Sequence, residues 1–210
     1  MADRENTTNY SHPQETNLLN LHKAMEYDAA GQPVVRTTGS YYDWSINLSA
    51  GNLDGVGYIE KFGRNATMSG NMETIWDGSN LYTYLSSASS VYITSSDAAD
   101  ATSGTGARTI EVQGLDASYN VITEDVTVDD GASTATFIRV FRARTKTTGS
   151  GGQAAGVISI RSAASGAGTL LAQIQKVGTG GGASLGQTFM ALYTVPAGKT
   201  AYITQWIVGA

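Results

Sequence analysis

The chain has 210 residues, a net charge of -5 and only 15% charged residues; Gly, Ser, Thr and Ala are abundant, and cysteine is absent. That size suits one sandwich-type domain with extensions or two small domains. The acidic balance argues against sequence-independent nucleic-acid binding, which needs clustered Lys and Arg, and the lack of cysteine excludes disulfides, thiolate catalysis and Cys-based zinc sites.

Residues 1–40 differ from the rest. The first sixteen are polar and lack the apolar core of a signal peptide. Leu18, Leu21 and Met25 recur at i, i+3 and i+7, Asn17 can cap the start and Gly31 can close the end, which predicts one short helix in an N-terminal arm. A helix of about three turns is marginal alone and needs a surface to pack on. It either covers one end of the chain's own body or serves as a docking arm, with Leu18, Leu21 and Met25 as the attachment face; the reading adopted is attachment.

From residue 41 onward, short runs rich in Val, Ile, Thr, Tyr and Phe lie between Gly, Asp, Asn and Ser clusters. Strands are predicted at 44–48, 56–62, 91–94, 108–113, 121–128, 136–143, 157–161, 169–176, 187–195 and 200–208. The pattern predicts an all-β, jelly-roll-like β-sandwich over 41–210, with a subdivision near 149 as the alternative. Ile110 and Val112 alternate with polar neighbours, as in a strand with one buried and one wet face. Phe189, Met190, Leu192 and Tyr193 give a strand apolar on both faces, one for the core and one for a neighbouring subunit. The 115–120 and 129–131 segments are turn chemistry, and the glycine-rich stretches 147–152 and 178–182 are predicted to be flexible loops.

Five motifs stand out in order: Lys61-Phe62-Gly63-Arg64-Asn65, Glu73-Thr74-Ile75-Trp76-Asp77-Gly78, Gly104-Thr105-Gly106-Ala107-Arg108-Thr109, Gly114-Leu115-Asp116-Ala117-Ser118-Tyr119-Asn120 and Val195-Pro196-Ala197-Gly198-Lys199-Thr200-Ala201-Tyr202. As a set they resemble a group of β-rich structural proteins of tailed bacteriophages, many of them marine. The likeness runs from about Tyr41 to the end of the chain. It implies a virion location, assembly in the host cytoplasm and self-association, with a trimer favoured. Such proteins carry proline where this chain has Ala66, so the turn after Asn65 is expected to differ. Relatives tend to continue further, so a shortened form and a strand ending the chain are both open expectations.

Within the first motif, Phe62 is expected to anchor a strand end in the core, Gly63 to permit a turn, and Arg64 to reach a carboxylate or carbonyl. Arg139, Arg142 and Arg144, with Lys146, form one basic stripe expected to face carboxylates within an oligomer or on a partner.

Catalysis finds little support. His12 and His22 both lie in the arm, away from any predicted cleft. Glu73 with Asp77, Asp97 with Asp100 and Glu124 with Asp125 are the local acid pairs; Glu124 and Asp125 point to opposite faces of a strand, and Asp97 with Asp100 reads as solvated turn chemistry. Neither an EF-hand nor a phosphate-loop pattern is present. Trp76, Tyr82, Tyr84, Tyr92 and Trp206 could stack on sugars but are expected mostly in core or subunit contacts. The sequence therefore predicts a non-enzymatic structural protein without cofactor or metal, most consistent with a capsid decoration or cement protein or head fibre. Its partners would be its own copies and the major capsid protein or another virion protein, with no nucleic acid and no membrane. The alternative is a tail or fibre component that binds host-surface glycan.

Overall fold

The computed structural model describes residues 26–27, 33–34, 44–51, 53, 55–78, 81–129, 131–177 and 182–209. The chain divides into two compact units, Met1–Ile59 and Glu60–Ala210.

In the first unit, β1 (Glu26–Tyr27) pairs antiparallel with β2 (Pro33–Val34). A helix running to Gly31 is therefore excluded at Glu26 and Tyr27, and the rest of the predicted helix, with Leu18, Leu21 and Met25, lies outside the described residues. The strand expected at 44–48 is instead helix α1 (Trp44–Ser49). Alternating Trp, Ile and Leu suits either state over so few residues. The deciding signal is Gly51, whose φ of 72° gives the left-handed closure typical of a helix end, with its N–H on Leu48 O.

The second unit is β-structure. Its strands are β3 (Tyr92–Ser95), β4 (Ala107–Leu115), β5 (Val121–Thr127), β6 (Arg139–Thr148), β7 (Ile158–Arg161) and β8 (Leu170–Ile174). They form two antiparallel three-stranded sheets, in the orders β3-β7-β8 and β5-β4-β6. Ile93 of β3, Ile158 and Ile160 of β7 and Leu171, Ala172 and Ile174 of β8 meet Ile110, Val112, Val126, Val140 and Ala143 of the other sheet in one apolar core. Burial of these branched side chains is the main stabilising term, at about 1.5–3 kcal/mol for each large one.

Turn chemistry fixes the β4–β5 register. The Asp116 carboxylate accepts the N–H groups of Ser118 (2.8 Å) and Asn120 (2.9 Å), and Tyr119 takes a φ of 62°. That local closure sets Leu115 opposite Val121 and carries the pairing to Thr109 opposite Thr127. Gly114 stands inside β4 because a Cβ there would press on Arg139 O and the Phe137 ring. The strand expected at 136–143 begins later, at Arg139. Residues 133–137 instead run beside 89–91, where Ser133 N–H bonds Val91 O and Phe137 exchanges hydrogen bonds with Ser89, before the chain joins β4. The stretch around 149 is pinned rather than loose: Gly149 N–H bonds Gly106 O and Gly151 N–H bonds Thr105 O, both at 2.8 Å.

Besides 44–48, three predicted strands form no ladder among the described residues. Residues 56–62 and 200–208 show no strand pairing among the described residues. The 187–195 run makes single bridges only, Gln187 to Arg144 and Met190 to Trp76. Its hydrogen-bond partner changes every few residues, from Ala143 to Arg64 and Ile75, so no regular register can develop.

Candidate functional site

The motif residues 61–65 and 73–78 come together against 187–191. Gly63 lies so close that a Cβ would collide with the backbone of Ala191 and Ile75. Its role is therefore close approach. Arg64 N–H bonds Phe189 O at 3.3 Å and Ala191 N–H bonds Ile75 O at 2.9 Å, so three separate stretches are tied together. The Arg64 guanidinium reaches the buried Asp77 carboxylate at 3.0 Å, and Asp77 also accepts Phe189 N–H at 3.3 Å. Burial pushes the Asp77 carboxyl pKa up, and the Arg64 pair only partly opposes it.

Asn65 donates to Glu73 at 2.7 Å, while its side-chain oxygen accepts Thr67 N–H at 3.0 Å. The turn at Ala66 is thus closed by a side chain and not by a proline ring. Phe62 is corrected: it does not anchor the core. Its half-exposed ring lies 5.3 Å from that of Phe189, on the outer side, because the neighbouring Gly63 occupies the inward close contact.

The 189–193 run splits by alternation. Met190 is buried and Leu192 packs against the core, whereas Phe189 and Tyr193 are half-buried, Tyr193 lying 5.4 Å from Phe141. Beside this aromatic group, Lys61 donates to Phe141 O; burial first, then the charge of Arg142, lowers its pKa to about 8.

The β6 basic stripe meets acceptors of its own chain. Arg144 binds Glu111 through two hydrogen bonds, 2.6 and 2.8 Å, and Lys146 reaches the same carboxylate at 2.9 Å. Glu111 is buried beneath them, so the face of β4 expected to be wet is covered at its centre. The Arg144 and Lys146 bonds hold its pKa down at about 2. Arg142 donates to Gln187 at 3.0 Å, and Arg139 donates to Leu85 O at 2.9 Å while its guanidinium lies over the Tyr84 ring at 4.8 Å.

Asp100 and Glu124 hold backbone donors of their own chain. Asp100, expected to be solvated, is buried and accepts four hydrogen bonds: from Ser95 Oγ (2.6 Å), Ala107 N–H (2.6 Å), Ala155 N–H (2.8 Å) and Gly156 N–H (2.7 Å). Burial alone would raise its pKa; these donors outweigh burial and lower it. The usable signal was Gly106, where a Cβ would strike the Asp100 carboxylate. Glu124 holds the N–H groups of Thr134 (2.8 Å) and Ala135 (2.7 Å). Among the described residues no group of three His, Cys, Asp or Glu could hold a metal, and no helix is long and apolar enough to cross a membrane. His12 and His22 lie outside the described residues. Trp76 is in the core, and the Tyr82 ring packs against those of Trp76 and Tyr84, each at 4.9 Å, while its hydroxyl donates to Leu171 O at 3.0 Å.

Several large apolar side chains remain exposed. Val56, Tyr58 and Ile59 in the first unit are each more than half exposed. In the second unit, Tyr202, Ile203, Trp206, Ile207 and Val208 are between 72% and 85% exposed within seven residues. No protein-family model, curated protein or solved structure matches this chain.

Proposed function

We propose that the chain is a non-enzymatic structural subunit of a tailed-bacteriophage virion: a capsid decoration or cement protein, or head fibre, that self-associates and binds the outer shell. On this reading its two sheets form a jelly-roll-like sandwich, the oligomer is a trimer, and the major capsid protein or another virion protein is the partner. The observation that carries it is the division of labour among side chains. Asp77, Asp100 and Glu111 are committed to internal contacts, while large apolar side chains of 56–59 and 202–208 are left exposed. A catalytic subunit needs positioned ionisable groups; an assembly subunit needs contiguous apolar surface. The motif likeness to phage structural proteins supports the virion setting. It gains weight because the first two motifs meet in space at one junction. Quantitative mass spectrometry of purified particles tests the assignment. Hundreds of copies per particle are expected for a shell component, on the order-of-magnitude logic of symmetric assembly. A few dozen or fewer would move the chain to the tail, and absence from particles would sink the proposal.

A further inference from the structure

We propose that the 200–208 segment is a β-strand donated to a second copy of this chain. The inference rests on the self-association part of the reading above and names its contact. Thr200 to Val208 contains Tyr, Ile, Thr, Trp and Val, the residues that suit a pleated, half-buried surface, and it carries no charge. Among the described residues none of its backbone groups has a ladder partner. A row of open N–H and C=O groups beside exposed apolar side chains is the form of a strand awaiting an edge.

Size and charge favour a copy of the same chain as the occupant. Covering the five large apolar residues would bury on the order of 700 Å² on this segment, close to the roughly 800 Å² per partner of a standard stable interface. An uncharged strand has no electrostatic means of selecting an acidic or basic partner. The chain also carries a second exposed apolar run outside any ladder, with Val56, Tyr58 and Ile59 more than half exposed, so each copy offers one apolar segment to give and apolar surface to receive it. Such head-to-tail complementarity closes into a ring when the rotation permits.

The test uses the full chain in analytical ultracentrifugation and amide hydrogen exchange. At tens of micromolar, wild type is expected as an oligomer with the 201–208 amides protected, and dilution should abolish both together. The double substitution Trp206→Asp with Ile207→Asp should reduce the mass to that of one chain while leaving the circular dichroism of the body unchanged. If the variant is misfolded, the concentration dependence of exchange in wild type still decides. An oligomer whose 201–208 amides exchange freely, or a folded variant that keeps its oligomeric mass, overturns this inference and leaves self-association standing. A wild-type monomer with protected amides means that the strand folds onto its own body, and protection gained only on adding capsid shells means that another protein receives it; either result overturns the inference. A wild-type monomer with unprotected amides overturns it and removes self-association from the proposed function as well.

Discussion

Strand β8 and the 202–208 run are near equivalents in composition, uncharged and apolar with one glutamine each, and their surroundings are opposite. In β8, Leu171, Ala172 and Ile174 are buried, and Gln173 donates to Ser159 on β7 at 3.1 Å. In 202–208 the apolar residues face solvent, and no ladder forms among the described residues. Strand propensity is the same in kind, so what differs is the supply of an edge. β7 lies in register beside β8, Ile158 opposite Ile174. The comparison teaches that an apolar, β-favouring run specifies a strand only together with its neighbour.

The closed region should break first. Phe137 is fully buried where the chain passes from the Ser89 contact to β6. Phe137→Ala should cost about 3–5 kcal/mol in urea unfolding, the usual transfer-plus-cavity range. Asp100→Ala should come next, at about 2–3 kcal/mol, because it strands buried backbone N–H groups of Ala107 and Gly156. Asp100→Asn should lose part of this, since an amide cannot accept all four donors. Gly63→Ala should cost about 1–3 kcal/mol by forcing 61–65 away from Ala191 and Ile75. An unchanged midpoint for Gly63→Ala would mean that the junction is not tightly packed.

These sites also mark how far the sequence could be read. The strands at 92–95, 107–115, 121–127, 158–161 and 170–174 were legible because alternation and turn residues bound them on both sides. The 44–49 helix was not, since six residues give too little periodicity to separate 2 from 3.6. Alternation put Met190 and Phe189 on opposite faces but could not say which one faces the core, and the changing partners of that run, Ala143, Arg64 and Ile75, come from distant parts of the chain. Glu111 shows the limit most clearly. A carboxylate alternating with Ile110 and Val112 reads as solvent-facing, and only the pairing of β4 with β6 brings Arg144 opposite it. Asp100 looked like a loop acid for the same reason: its donors come from three separate stretches.

Glu111 gives an effect visible only in acid. Its folded pKa of about 2 lies below the ordinary value of 4.5. The carboxylate therefore contributes stability that is fully present above about pH 4.5 and is lost as pH falls towards about 2. Asp100, also lowered, adds in the same direction, whereas Asp77, raised by burial, acts oppositely. Thermal midpoints of wild type should fall more steeply between pH 5 and 2 than those of Glu111→Gln. Parallel curves would show that Arg144 and Lys146 do not hold this carboxylate in solution.

The smallest effect is the one that bears most directly on the comparison. Leu171→Ala in β8 should cost about 2–5 kcal/mol at any protein concentration, because its partners belong to the same chain. Ile207→Ala should lie within about 0.5 kcal/mol of zero in dilute solution, where an exposed side chain has little to lose. If 202–208 gains its edge from another copy, that near-zero value cannot persist as concentration rises, since assembly stabilises the folded state by mass action. Unfolding of wild type and Ile207→Ala should therefore coincide at nanomolar concentration and diverge at tens of micromolar, with the variant the less stable. Divergence already present in the dilute limit would mean that Ile207 is packed against its own chain. Coincidence at every concentration would leave the two runs permanently different, one a strand by virtue of its neighbours and the other merely apolar.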